Sequence, residues 1–315
     1  MTIISKDENL AWGCYLLLGF LFFLILPGIF LEILWLDISV FIRVPAAILL
    51  SAVTLYAYKK YLGWYVKGGA SLSVYEQVRK VDIGWLVSMF HFALMVSCFY
   101  LAGHYSIVGA NFNIENQLNW FSMLLPAAII EEVALRGIVF RLIADKWNVA
   151  VGLLVSSLAF GFMHILNPEC TIWSCLEIAV TAGWLMGIAY AYHRTLWVPI
   201  GIHWAYNFLI GCFFGHYAPD TALDNSPIFI SIVKGFEFMP GGKYELEGTI
   251  VNLIISVTIS MVYTILYIKK KKEGLEHNPK CSFDGDFKAT CDGTDGEQSC
   301  FNPNWFVKDL LSISF

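Results

Sequence analysis

Charged residues are scarce in this chain. Asp, Glu, Lys and Arg make up 14% of its 315 residues, hydrophobic residues make up 57%, and mean hydropathy is +0.63. Soluble domains carry about 25% charged residues, so the soluble globular class is excluded. Twenty basic residues against 25 acidic ones give a net charge of −5, which offers nucleic acid no basic footprint. Internal repeats are absent, and with them the weak symmetry typical of transporters. No HExxH occurs, and no cysteine spacing matches a zinc pattern. No serine or cysteine stands in a recognisable nucleophile motif, although Ser156 and Ser157 share an apolar segment with His164.

What the chain has instead is apolar runs near the roughly 20 residues that span a bilayer. Eight are read, at 9–35, 39–58, 83–102, 118–142, 148–166, 173–192, 197–215 and 249–268, the second interrupted by Arg43 and the seventh by His203 and Asn207. The first is too long for a signal-peptide core and lacks a following cleavage site, so it is expected to remain as a signal anchor. Orientation follows from Lys and Arg in short loops. Lys59, Lys60, Lys67, Arg79 and Lys80 lie between the second and third runs. Arg141 and Lys146 follow the fourth, Arg194 the sixth, and Lys269 to Lys272 the eighth. The alternate loops 103–117 and 166–172 have neither residue type. The expected fold is therefore all-α: a polytopic membrane protein of about eight transmembrane helices, both termini cytoplasmic. The expected location is integral and multi-pass, in the plasma membrane of a prokaryote or the endoplasmic reticulum of a eukaryote.

Residues 1–268 read as one membrane-embedded domain and 269–315 as a polar, flexible cytoplasmic tail. The basic connector 59–82 is either an interfacial segment or an ordinary positive loop. The long loop 216–248, with PIFISIVKGFEF, reads as a lid or, slightly favoured, a short re-entrant or surface helix. The tail stretch DGDFKATCDGTDGEQ fails calcium-loop spacing, and the terminal NWFVKDLLSISF is expected to dock on the membrane or the protein. Of eight cysteines, Cys14, Cys98 and Cys212 read as small buried hydrophobes. Cys170 and Cys175 are able to pair near an outward loop, while Cys281, Cys291 and Cys300 fall in a reducing compartment.

The chemistry concentrates in LLPAAIIEEVALRGIVFRL, which carries Glu131, Glu132 and Arg136. Each ionisable group in the bilayer core costs roughly 2.5–3.5 kcal/mol on insertion scales, so three in six residues point to a functional interior. Successive residues of a helix diverge by about 100°, so Glu131 and Glu132 cannot face one cavity equally. Glu132 and Arg136, at i and i+4, share a face and pair. That leaves Glu131 as the freer carboxylate, suited to acid–base work. The alternative is that both glutamates only bind Arg136 and stitch helices together. Phe160 and His164 are again i, i+4 in FGFMH, as are His203 and Asn207 in HWAYN. His91 reads as a satisfied core histidine. A glutamate and a histidine activate water, and a second histidine with an asparagine amide stabilises an oxyanion. This is amide hydrolysis without a covalent enzyme intermediate.

The order EExxxR (Glu131 to Arg136), FxxxH (Phe160 to His164) and HxxxN (His203 to Asn207) resembles the motif set of the CAAX-processing and bacteriocin-processing (CPBP, Abi) intramembrane proteases. The resemblance covers about 120–210. It implies an eight-helix, glutamate-type intramembrane endopeptidase like the type II CAAX prenyl proteases. By matching positions, Glu131 and His164 activate water, and His203 and Asn207 form the oxyanion site. Glu132, Arg136 and Phe160 support them. It implies no cofactor. The implied partners are the lipid bilayer and a membrane-associated protein or peptide substrate, lipidated in eukaryotic members. Two readings compete. The same His, His and Glu set is a familiar catalytic zinc set, which chelators and metal analysis discriminate. A non-catalytic membrane binding protein, such as a bacteriocin-immunity factor, also uses intramembrane charge. Helix rise places Glu131 near mid-membrane and His164 nearer the outward face, a gap that tilt or a late helix start at Pro126 would close.

Overall fold

The computed structural model describes residues 6–34, 38–65, 78–167, 170–214, 227–233, 249–276, 281–283 and 289–291. Helix dominates them, in eight successive helical bodies matching the eight apolar runs in order. They are α1 (Lys6–Leu34), α2 (Val40–Tyr65), α3 (Val81–Leu101), α4 (Ile114–Glu132) with α5 (Arg141–Lys146), α6 (Val149–Met163), α7 (Ile172–Ile178) with α8 (Trp184–His193), α9 (Trp197–Phe208) and α10 (Ile250–Glu276). Among the described residues, five stretches are long and apolar enough to cross a membrane: Ala11–Leu31, Val40–Leu62, Val81–Leu101, Ile172–His193 and Ile250–Glu273. Large apolar side chains such as Leu17, Leu18, Phe41, Leu86, Phe90 and Ile265 lie exposed on these helices. A soluble monomer does not leave so much apolar surface in water. The chain is an all-α polytopic membrane protein.

Local signals set the helix starts. The Asn113 side chain accepts from the backbone N–H of Glu115 at 2.9 Å and opens α4, and Asn148 accepts from Val151 at 2.9 Å to open α6. Thr171 and Ser174 form a reciprocal capping box at α7. The helix does not start late at Pro126, because it opens at Ile114 behind the Asn113 cap, twelve residues earlier, and Pro126 sits inside α4. Arg43, which interrupts the second run, donates through its two terminal nitrogens to Asn119 Oδ1 and Ile38 O, both at 2.9 Å.

Three wide-pitched π stretches punctuate the bundle: Val133–Phe140 between α4 and α5, Ala179–Gly183 between α7 and α8, and Leu209–Phe213 after α9. Such stretches concentrate at functional sites. α3 and α9 meet almost backbone to backbone. A β-carbon on Gly84 would collide with the backbone of α9, and one on Gly201 with Val81 O. This crossing seats His203 two residues later. One apolar cluster joins α1 and α2 to the π stretch through Phe23, Tyr58, Ile129, Val133 and Ile138. A second, with Leu153, Phe160, Leu185 and Ile202, fills the other side.

Three expectations change. The described part of loop 216–248 is a strand, β2 (Phe229–Val233), antiparallel to β1 (Tyr105–Ala110), rather than a surface helix. The run FISIV is rich in β-branched residues, which favour a pleated ladder once an edge is available. The lid reading covers the whole loop 216–248, of which 216–226 and 234–248 fall outside the described residues, as do connector residues 66–77 and the terminal NWFVKDLLSISF. Cys14 and Cys98 are exposed on outward helix faces, and only Cys212 of that group is buried. Finally, α10 continues to Glu276, and in the tail β3 (Cys281–Phe283) pairs with β4 (Ala289–Cys291). Cys170 and Cys175 are thiols with Sγ atoms 3.6 Å apart.

Candidate active site

Glu131 and Glu132 are the last two residues of α4, where the helix widens. Glu132 and Arg136 are both fully buried and form the ion pair that their spacing predicts, Oε1 to a guanidinium nitrogen at 2.8 Å. The second terminal nitrogen of Arg136 donates to Gly183 O at 2.9 Å, at the end of the second π stretch. The guanidinium also lies 4.7 Å from the Phe160 ring centroid. One buried cation thus ties α4, α6 and the α7–α8 body together. This is the setting in which losing a partner strands a charge.

His203 completes this cluster. Its Nδ1 lies 3.1 Å from Glu132 Oε1. A carboxylate only accepts, so Nδ1 carries the proton and donates. The other nitrogen, Nε2, faces Glu131 Oε2 at 3.9 Å. Glu131 is 25% exposed where Glu132 is 0%, and the hydrogen bonds of Arg136 go to Glu132 and Gly183. The reading in which both glutamates serve only Arg136 does not match this arrangement. Phe160 stands edge-on to His203, with ring centroids 5.6 Å apart.

His164 follows α6 in a short 3₁₀ turn, and its Nδ1 lies 2.8 Å from Phe160 O. A carbonyl cannot donate, so Nδ1–H is spent on the backbone and Nε2 is left with its lone pair. Phe160, His164, His203 and Asn207 line one cavity of about 120 Å³, room for several waters. Gly161 lets α6 approach α7 so closely that a β-carbon there would strike Cys175 O. That approach brings His164 to the same cavity as α9 without a late start of α4. Glu131 forms no ion pair or hydrogen bond with His164. Glu131 is not among the residues that line the cavity, and its contact with this set is the one to His203 at 3.9 Å.

The cavity also holds His91, buried and hydrogen-bonded as a core histidine is, and polar groups that the sequence did not single out. His91 on α3 lies with Nε2 2.9 Å from Asn252 Oδ1 on α10, and the Tyr206 hydroxyl donates to the same oxygen at 3.1 Å. His91, Tyr206, Asn252 and Ser256 all line the cavity with His203 and Asn207. Glu177 on α7 lines it too, and Thr181 Oγ1 donates to Glu177 O at 2.8 Å. The available signal was that Glu177 is a carboxylate inside an apolar run, the criterion that singled out Glu131. Among the described residues no three His, Cys, Asp or Glu side chains converge as metal ligands would.

No curated protein matches the chain. Residues 113–209, which hold all seven of the motif side chains, match the family model described as Type II CAAX prenyl endopeptidase Rce1-like, the protease family that the three motifs resemble.

Proposed function

We propose that this chain is a glutamate-type intramembrane endopeptidase acting on a membrane-associated protein or peptide of the CAAX class. The observation that carries the reading is the one cavity lined by His164, from the turn after α6, and by His203 and Asn207 of α9, with the Glu131 carboxylate 3.9 Å from His203. In this reading a water attacks the scissile carbonyl carbon while Glu131 takes its proton. The bare Nε2 of His164 holds and orients that water. The carbonyl oxygen becomes an oxyanion, to which the Asn207 amide donates. His203 also donates there through Nε2, which requires both of its nitrogens to be protonated, with Glu132 as the counter-ion of the imidazolium. Collapse of the tetrahedral intermediate breaks the C–N bond, and the proton on Glu131 passes to the leaving amine. Water activation without a covalent intermediate agrees with the lack of a nucleophile motif. Both termini cytoplasmic and eight crossings remain part of this proposal.

The test is cleavage by the purified full chain of a peptide ending in a CAAX sequence, with and without a prenyl group. Release of the last three residues, faster from the prenylated peptide, supports the reading. No release from either peptide, by protein shown to be folded, contradicts it.

A further inference from the structure

A second cavity, of about 390 Å³, lies between α2, α5, α8 and the start of α9, and shares no lining residue with the first. Three cations line it: Lys59 from α2, Arg141 from α5 and Arg194 from the α8–α9 link. Lys59 is exposed, Arg194 half-buried, and Arg141 only 2% exposed. Asp145 offsets part of the charge on Arg141. The remaining wall is apolar and aromatic, with Leu55, Leu62 and Trp197. A basic end and an apolar wall in one cavity match an amphiphile with an anionic head.

Two further observations shape the site. Arg194 holds a left-handed backbone, φ 56°, at the C-cap of α8. Non-glycine residues rarely adopt this conformation, and it is kept only where the surroundings enforce it. It turns the chain sharply and sets Arg194 on the cavity wall. The Tyr58 hydroxyl, also in the lining, donates to Gly137 O at 3.0 Å. Gly137 lies in the π stretch one residue beyond Arg136, so this cavity touches the helical body that carries Glu131 and Glu132.

We propose that this cavity binds the phosphate of an anionic phospholipid, with the head on Lys59, Arg141 and Arg194 and the chains along the apolar wall. All three cations belong to the loops and helix ends whose Lys and Arg excess marks the cytoplasmic side. Basic pockets between helices on that side hold anionic headgroups. Planar guanidinium groups suit a phosphate in particular. The site rests on the proposed orientation but not on the protease chemistry.

Titration of the full-length protein in neutral detergent with phosphatidylglycerol, followed by native mass spectrometry, tests this. Phosphatidylglycerol is expected to bind with at least tenfold higher affinity than phosphatidylcholine, and millimolar inorganic phosphate is expected not to displace it. Replacing Lys59→Gln and Arg194→Gln together should weaken phosphatidylglycerol binding about tenfold or more. Lys59 is exposed and Arg194 half-buried, so folding should survive. A control removing two charges elsewhere on the same side, Lys269→Gln with Lys272→Gln, should bind like the wild type. Equal affinity for the two lipids would overturn the proposal. So would an unchanged affinity in the Lys59→Gln, Arg194→Gln protein, or an equal loss in the control. Displacement by inorganic phosphate would overturn the lipid as occupant.

Discussion

At the scale of single residues, Glu131 and Glu132 divide the work by exposure and partner. Glu132 is fully buried and bonded to both Arg136 and His203. Removing one partner of such a pair costs about 3–5 kcal/mol, because the other charge is left unpaired. Arg136→Ala is therefore expected to lower the thermal midpoint markedly as well as turnover. A midpoint equal to wild type would refute the pairing role. Asn207 makes the opposite prediction. One oxyanion donor is worth about 10²–10³ in turnover, so Asn207→Ala should lower kcat by that factor and leave KM and folding nearly unchanged. Metal content measured alongside addresses the zinc reading, and chelator is expected to leave turnover unchanged. Loss of a stoichiometric metal together with activity in Asn207→Ala would replace the oxyanion assignment.

At the scale of elements, helix pitch and helix crossings place the site. The i, i+4 spacing of Glu132 and Arg136 was legible in the sequence and corresponds to a 2.8 Å contact. The widening of the helix at Val133 was not, because a π stretch changes pitch without changing composition. The Phe160–His164 and His203–Asn207 spacings were equally legible. What brings them together is two glycine contacts, Gly161 of α6 against α7 and Gly201 of α9 against α3, and glycine in an apolar run does not announce which helix it meets. His91 is the buried, hydrogen-bonded histidine that its apolar setting suggests, but its partner is not legible. A lone histidine has no sequence signature of the Asn252 side chain lying 161 residues away. Gly201→Ala follows as a prediction. Overpacking costs about 1–3 kcal/mol, and here it also displaces the helix bearing His203. Activity in membranes should fall further than the folded fraction measured by size exclusion and thermal melting. Parallel losses in both would mean that the crossing serves stability alone.

At the scale of the whole molecule, hydropathy and loop charge carried most of the architecture. The order and number of apolar runs match the helical bodies of the described residues. Only five of the stretches are apolar and long enough to count as crossings by themselves. The others are short, or are broken by the π stretches and polar residues that build the site. The β1–β2 pairing was hidden because its strands come from two loops more than a hundred residues apart, and loop composition specifies no partner. The topology has a direct check. Single cysteines placed at Lys60 and Lys272, in a protein without its native cysteines, should react with an impermeant reagent only from the cytoplasmic side. A cysteine at Asn113 should react only from the other. Labelling of Asn113 from the cytoplasm would overturn the orientation.

The most direct test of the central claim is the turnover of Glu131→Gln on the same CAAX peptide. Glutamine keeps the shape and one acceptor oxygen of the side chain but cannot take a proton from water. The variant is expected to melt like the wild type and to lose at least the roughly 10²–10⁴-fold that a positioned acid–base group supplies. Turnover within a few-fold of wild type in a folded Glu131→Gln protein would contradict the account.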